Sequence, residues 1–115
     1  MPRWLPKVLV RIRELAAERK VRFTLKALRE LAALGLGLDP TDACDVLAIL
    51  TSEDSGGRLG SESTGEWIYV FRPRVAGTLV YIKLILRNGC LVVSFHEDRD
   101  RDRDRDRDRD HEDHA

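Results

Sequence analysis

Between Trp67 and Phe95 the chain reads WIYVFRPRVAGTLVYIKLILRNGCLVVSF, and no other stretch limits the possible folds so tightly. Val, Ile, Leu, Tyr, Phe and Trp fill three runs, and such side chains fit a pleated surface with at least one buried face. Trp67–Arg72 ends at Pro73, Thr78–Leu86 ends at Arg87-Asn88-Gly89, and Cys90–Phe95 follows at once. Asn88-Gly89 suits a type I′ hairpin, which needs positive φ at both central residues. The Val75-Ala76-Gly77 link is about as short. A meander of three antiparallel strands is expected, and the rest of the chain has to cover it.

Strand periodicity sorts these side chains into two faces. In the middle run Leu79, Tyr81, Lys83, Ile85 and Arg87 point one way, and Val80, Ile82, Leu84 and Leu86 the other. The second set is wholly aliphatic and belongs to the core. The first sets a phenol and an ammonium two residues apart on the more open side. Arg72 and Arg74 share a face of the preceding strand, and Ser94 and His96 share one in the last. A face that gathers Tyr, Lys, Arg and His offers hydrogen-bond donors and fixed cations to a phosphodiester.

Upstream, the period changes to that of helices. Leu5, Val8, Leu9, Ile12, Leu15 and Ala16 recur at helical spacing, with Pro6 in the first turn, where proline is tolerated. Thr24 is a good N-cap for a second helix with a stripe of Leu25, Leu28, Leu31 and Ala32, stopped by Gly35 in a left-handed conformation. Asp39-Pro40 opens a third, whose buried side is Ala43, Val46, Leu47 and Leu50. Val21-Arg22-Phe23 is a short extended break, readable as an edge strand. Thr51–Gly57 reads as a polar loop and Arg58–Ser63 as a short, weak strand. The expected class is α+β, with three N-terminal helices packed on a small antiparallel β-sheet.

At 115 residues there is room for one domain with one modest core. Formal charge is zero, yet residues 1–96 carry fourteen Lys+Arg against ten Asp+Glu, and residues 97–115 carry six Arg against ten acids. The folded part is therefore mildly basic, which permits a polyanionic partner. Cys44 and Cys90 show no metal or redox spacing and read as small buried hydrophobes. No apolar run spans a membrane and no signal peptide opens the chain, so a cytoplasmic protein is expected. Residues 98–115 form an Asp-Arg alternation closed by His-Glu-Asp-His-Ala. With nothing apolar to offset ordering entropy, this tail is expected to be disordered, leaving 1–97 as the folded domain. His111 and His114 belong to that solvated tail and are not read as metal ligands.

Several strings together carry a resemblance. Trp67-x-x-Val70-x-Arg72-Pro73-Arg74, Gly77, Val80-Tyr81-x-Lys83 and Leu91-x-Val93-Ser94-Phe95-x-Glu97 resemble the MqsR family of toxin–antitoxin ribonucleases. Val21-Arg22-x-Thr24, Ala27-Leu28, Leu34-Gly35-x-Gly37-Leu38-Asp39 and Cys44-x-Val46 agree with its helical half, so the likeness covers about residues 5–97. It implies a RelE-like fold, an mRNA substrate cut in single-stranded regions without the ribosome, and a cognate antitoxin encoded by a neighbouring gene. It implies no metal or other cofactor. The chemistry would be attack of a ribose 2′-hydroxyl on the adjacent phosphorus, which needs a proton acceptor, a proton donor and cations around the phosphorane oxygens.

Carried over residue by residue, the resemblance makes Tyr81 the functional tyrosine, and Arg72, Arg74 and Lys83 phosphate contacts. His96 stands where close relatives carry lysine, and an imidazole can act as acid or base near neutrality. Two positions depart from the pattern. The family's lysine in the strand after the third helix falls on Gly57, with Arg58 one residue away, and the glutamine after the tryptophan is Ile68. The expected catalytic set is Tyr81, His96 and Arg58. The alternative is a catalytically impaired relative that binds RNA or its antitoxin as a regulator.

Overall fold

The structure is a computed structural model that describes residues 1–98. The alternating tail from residue 99 onward, with His111 and His114, lies outside the described residues. Helix α1 (Leu5–Ala17) buries Leu5, Val8, Leu9, Ile12, Leu15 and Ala16, the stripe read from its spacing. Helix α3 (Pro40–Ala48) starts at a reciprocal cap, in which Asp39 accepts from the Asp42 amide at 2.8 Å and Asp42 accepts from the Asp39 amide at 3.0 Å. These two helices pack on each other and on one face of the sheet.

Helix α2 (Leu25–Ala33) is capped by Thr24, whose Oγ1 accepts from the Ala27 amide at 3.1 Å. It ends before Gly35, which has φ +75°. Its buried side is only Ala27 and Leu31, while Leu25 and Leu28 face water. The helix lies along the edge of the sheet and does not cover its face, so a narrow i, i+4 pair is all it needs to bury. Where a further strand would pair, α2 supplies a side chain: the Glu30 carboxylate accepts the Phe95 amide at 2.9 Å.

The sheet corrects the expected fold class in two respects. Among the described residues it has six strands and is mixed, in the order β1-β6-β5-β3-β2 with β4 on β5. Strand β1 (Val21–Phe23) runs parallel to β6 (Cys90–Glu97), Val21 opposite Cys90 and Phe23 opposite Val92. It also lies between α1 and α2, so the helices do not all precede the sheet. Three residues are too few to show a period, and a pairing partner 69 positions downstream leaves no local trace. Strand β2 (Ser55–Gly60) begins inside the expected loop. Glycine is normally a poor strand former, but a Cβ on Gly56 would lie 2.8 Å from Val70 Cγ1, so close packing overrides propensity there.

Strands β3 (Trp67–Phe71), β4 (Arg74–Val75) and β5 (Thr78–Leu86) form one hairpin in a single register, with Phe71 opposite Ile82 and Arg74 opposite Leu79. Pro73 only interrupts the ladder, and its carbonyl still accepts the Val80 amide at 2.9 Å. Its two-residue turn is Ala76-Gly77, with φ +50° and +82°. Asn88 and Gly89 also have positive φ, but three residues separate the paired Leu86 and Cys90.

Strand β6 contains a bulge. Lys83 pairs with Ser94 and Leu84 with Val92, leaving Val93 without an opposite residue. The extra residue reverses the alternation, so Val92 and Phe95 both enter the core while Ser94 and His96 share the other face. Val80, Ile82 and Leu84 complete that core beneath α1 and α3. Each fully buried side chain of this size contributes about 1.5–3 kcal/mol. Among the described residues no helix is long and apolar enough to cross a membrane.

Candidate functional site

The sheet face turned away from the α1–α3 layer is built in rows across three strands. The hairpin register places Arg72 opposite Tyr81, and Tyr81 pairs with His96. The phenol and imidazole rings stack with centroids 5.3 Å apart and planes inclined by 23°. The next row is Val70, Lys83 and Ser94, and the Lys83 ammonium lies 5.7 Å from the Tyr81 ring centroid. Arg72, Tyr81, Lys83 and His96 are all half-buried, held by the sheet yet open to a ligand. Arg74 is exposed at the hairpin end, and its guanidinium donates to the Gly77 carbonyl at 3.4 Å.

The tautomer of His96 follows from one contact. Nδ1 lies 2.8 Å from the Glu97 carbonyl oxygen, which can only accept, so Nδ1 carries the proton. In the neutral ring Nε2 is then left with its lone pair, as a proton acceptor requires.

Two carboxylates and a further cation, which alternation alone does not reveal, frame this face. Asp98 donates its amide to the Leu79 carbonyl at 2.7 Å, and its buried carboxylate lies 3.4 Å from Arg72 Nε. Lys26 of α2 donates to Ser94 Oγ at 2.7 Å and pairs with Glu30 at 3.2 Å. The only sequence signal for it was an i, i+4 Lys–Glu pair, which is common on solvated helices.

Arg58 does not join this group. It pairs with Tyr69, a core residue, and therefore projects from the reverse face. There its guanidinium lies 3.7 Å from the Trp67 ring centroid and 4.9 Å from that of Trp4. Trp67, the first residue of β3, is 44% exposed, and the guanidinium covers it on one side. Gly57 is opposite Val70 and so belongs to the face of Tyr81, where it brings no side chain. Ile68 lies on that face as well, and the adjacent pair of Ile85 and Leu91 continues an apolar margin.

Other titratable groups are removed from this chemistry. Burial pushes the Cys90 thiol up to about 12, and burial also raises Cys44, so neither is a thiolate near neutrality. The hydrogen bond from Arg87 holds the Glu66 carboxyl below its ordinary range, a surface pair bridging β5 and the β2–β3 connection.

The family model described as "Motility quorum-sensing regulator, toxin of MqsA" matches residues 6–97. The chain is 34% identical over 90 residues to the mRNA interferase toxin MqsR of Escherichia coli (strain K12), covering 77% of this chain and 90% of that protein.

Proposed function

Because this chain belongs to the MqsR family of toxins, we propose that it is an endoribonuclease that cuts single-stranded mRNA on the face carrying Tyr81 and His96. The observation that carries this reading is the stacked Tyr81–His96 pair with Arg72 and Lys83 beside it. Such a group supplies an acceptor, a donor and fixed positive charge within one sheet face.

In the proposed step, His96 Nε2 takes the proton of a ribose 2′-hydroxyl as that oxygen attacks the neighbouring phosphorus. The bond to the 5′ oxygen breaks, and the Tyr81 phenol protonates the departing oxygen. The products are a 2′,3′-cyclic phosphate and a free 5′-hydroxyl, and proton exchange with water resets both side chains. Arg72 and Arg74 hold the non-bridging oxygens, whose charge grows in the transition state, and Lys83 contacts the phosphate backbone beside them. The buried Asp98 carboxylate orients Arg72. No step calls for a metal ion. Arg58 is assigned to the sheet edge and not to this chemistry. The partner that neutralises the toxin is an antitoxin protein, as the family description implies, and the site of action is the cytoplasm, where the message is.

Primer-extension mapping on a purified transcript with EDTA present tests the reading. Discrete cuts ending in cyclic phosphate are expected, together with growth arrest on induction that coexpression of the neighbouring gene relieves. The absence of cuts, with RNA binding retained, would instead support a regulatory module. The missing side chain at Gly57 and the apolar Ile68 are what favour that second reading.

A further inference from the structure

Lys26 comes from a helix at the sheet edge, yet its ammonium lies against Ser94, directly across the ladder from Lys83. It is also held in place. Ser94 is 4% exposed and accepts one of its hydrogens, and one Glu30 oxygen is ion-paired to it at 3.2 Å while the other is fixed by the Phe95 amide. An ammonium has three hydrogens, so one remains. The Lys26 side chain is 64% exposed, which leaves that hydrogen to the solvent side of the face. Glu30 offsets part of the charge, but Lys83 stands on the other side of Ser94 as a second cation.

Resting on the reading above, we propose that Lys26 and Lys83, flanking Ser94, form a second phosphate site for the nucleotide next to the one that is cut. Ser94 precedes His96 by two residues on the same face, about 6.6–6.8 Å along the strand. That step is comparable to the spacing of neighbouring phosphates in an extended single strand. The scissile phosphate lies over Tyr81 and His96, and its neighbour falls over Ser94. The two-lysine site therefore sets the register of the message and its binding, and takes no part in proton transfer. Lys26 is a binding and positioning residue.

The test uses the full chain and an RNA oligonucleotide whose cut site has been mapped with the unaltered protein. If that protein makes no cut, the ribonuclease reading itself fails. If it cuts, Lys26→Ala is expected to raise KM about tenfold, as loss of a charge-assisted hydrogen bond would. kcat is expected to stay within twofold of the unaltered value, with Lys26→Arg restoring most of the KM. A substrate with one neutral methylphosphonate linkage beside the cut, placed on either side in turn, provides the second arm. On one of the two, the KM difference between Lys26→Ala and the unaltered protein should vanish. Glu30→Gln, which keeps an acceptor for the Phe95 amide, should lower KM on the natural linkage. Persistence of the tenfold difference on both neutral substrates would overturn the proposal, because Lys26 would then act through structure. An unchanged KM in Lys26→Ala would overturn it as well.

Discussion

In the proposed step, single atoms decide what Tyr81 and His96 do. Tyr81→Phe removes one hydroxyl from a half-buried ring that stays stacked on His96, so packing is conserved while a proton donor is lost. Its kcat is expected to fall by about 10²–10⁴, with the melting temperature unchanged within a few degrees. His96→Ala should fall into the same range, and the double variant should lose little more, because either residue alone disables the same step. Single-turnover cleavage of a mapped RNA measures all three. Equal activity in Tyr81→Phe would remove the phenol from the mechanism. Arg58 predicts the opposite pattern. Its guanidinium is stacked between Trp67 and Trp4 on the reverse face. Arg58→Ala should therefore leave cleavage intact and lower stability by about 0.5–2 kcal/mol, the range for such contacts from exposed to desolvated settings. Chemical denaturation read from tryptophan fluorescence would report this directly, since both rings sit on the lost group.

The elements differ in how much of themselves the sequence displays. Helix α1 was legible in full, because six apolar side chains at helical spacing have no other way to share a face. The aliphatic set of β5 was legible for the same reason at a period of two. Helix α2 was not, since packing on an edge buries two of its positions and leaves Leu25 and Leu28 outside. The bulge in β6 was hidden as well. Val92 and Val93 are chemically alike, and nothing but the pairing of Leu84 tells which one turns inward. That one residue decides whether His96 reaches the site. The two hairpin turns offer a direct comparison. Asn88 meets its positive φ with a residue that tolerates it, whereas Ala76 has φ +50° with a Cβ that resists it. A left-handed conformation costs an ordinary residue roughly 1–2 kcal/mol. Ala76→Asn should thus stabilise the protein by about 1 kcal/mol, a rise in melting temperature of ~4–8 °C for a domain of this size. Calorimetry that shows no rise, or a fall, would mean the turn relaxes at no cost.

At the scale of the molecule, two long-range arrangements shape the site and leave no local signature. Parallel pairing of β1 with β6 ties the first third of the chain to its last strand, and α2, entered directly from β1, is thereby delivered to the β6 edge. Lys26 and Glu30 reach Ser94 and Phe95 only through this closure. The same closure organises the charge. The described residues carry fourteen Lys+Arg and twelve Asp+Glu. Arg72, Arg74, Lys83 and Lys26, set against Glu30 and Asp98, account for the whole excess of two, and the remaining charges balance ten against ten. Attraction to a polyanion should therefore be local to one face and modest. Counterion release gives a slope of about −0.7 in log K against log salt for each phosphate held on a single strand. Three or four contacts predict a slope of about −2 to −3, and binding roughly 20- to 50-fold weaker at 200 mM than at 50 mM salt. A 2′-O-methyl RNA, which cannot supply the attacking hydroxyl, allows this measurement without cleavage. Lys83→Ala should make the slope shallower by one phosphate's worth, while Arg58→Ala, on the reverse face, should leave it as it is. A slope near zero would show that the message is not held through its backbone on this face. A slope well beyond −3 would show that cations outside it take part.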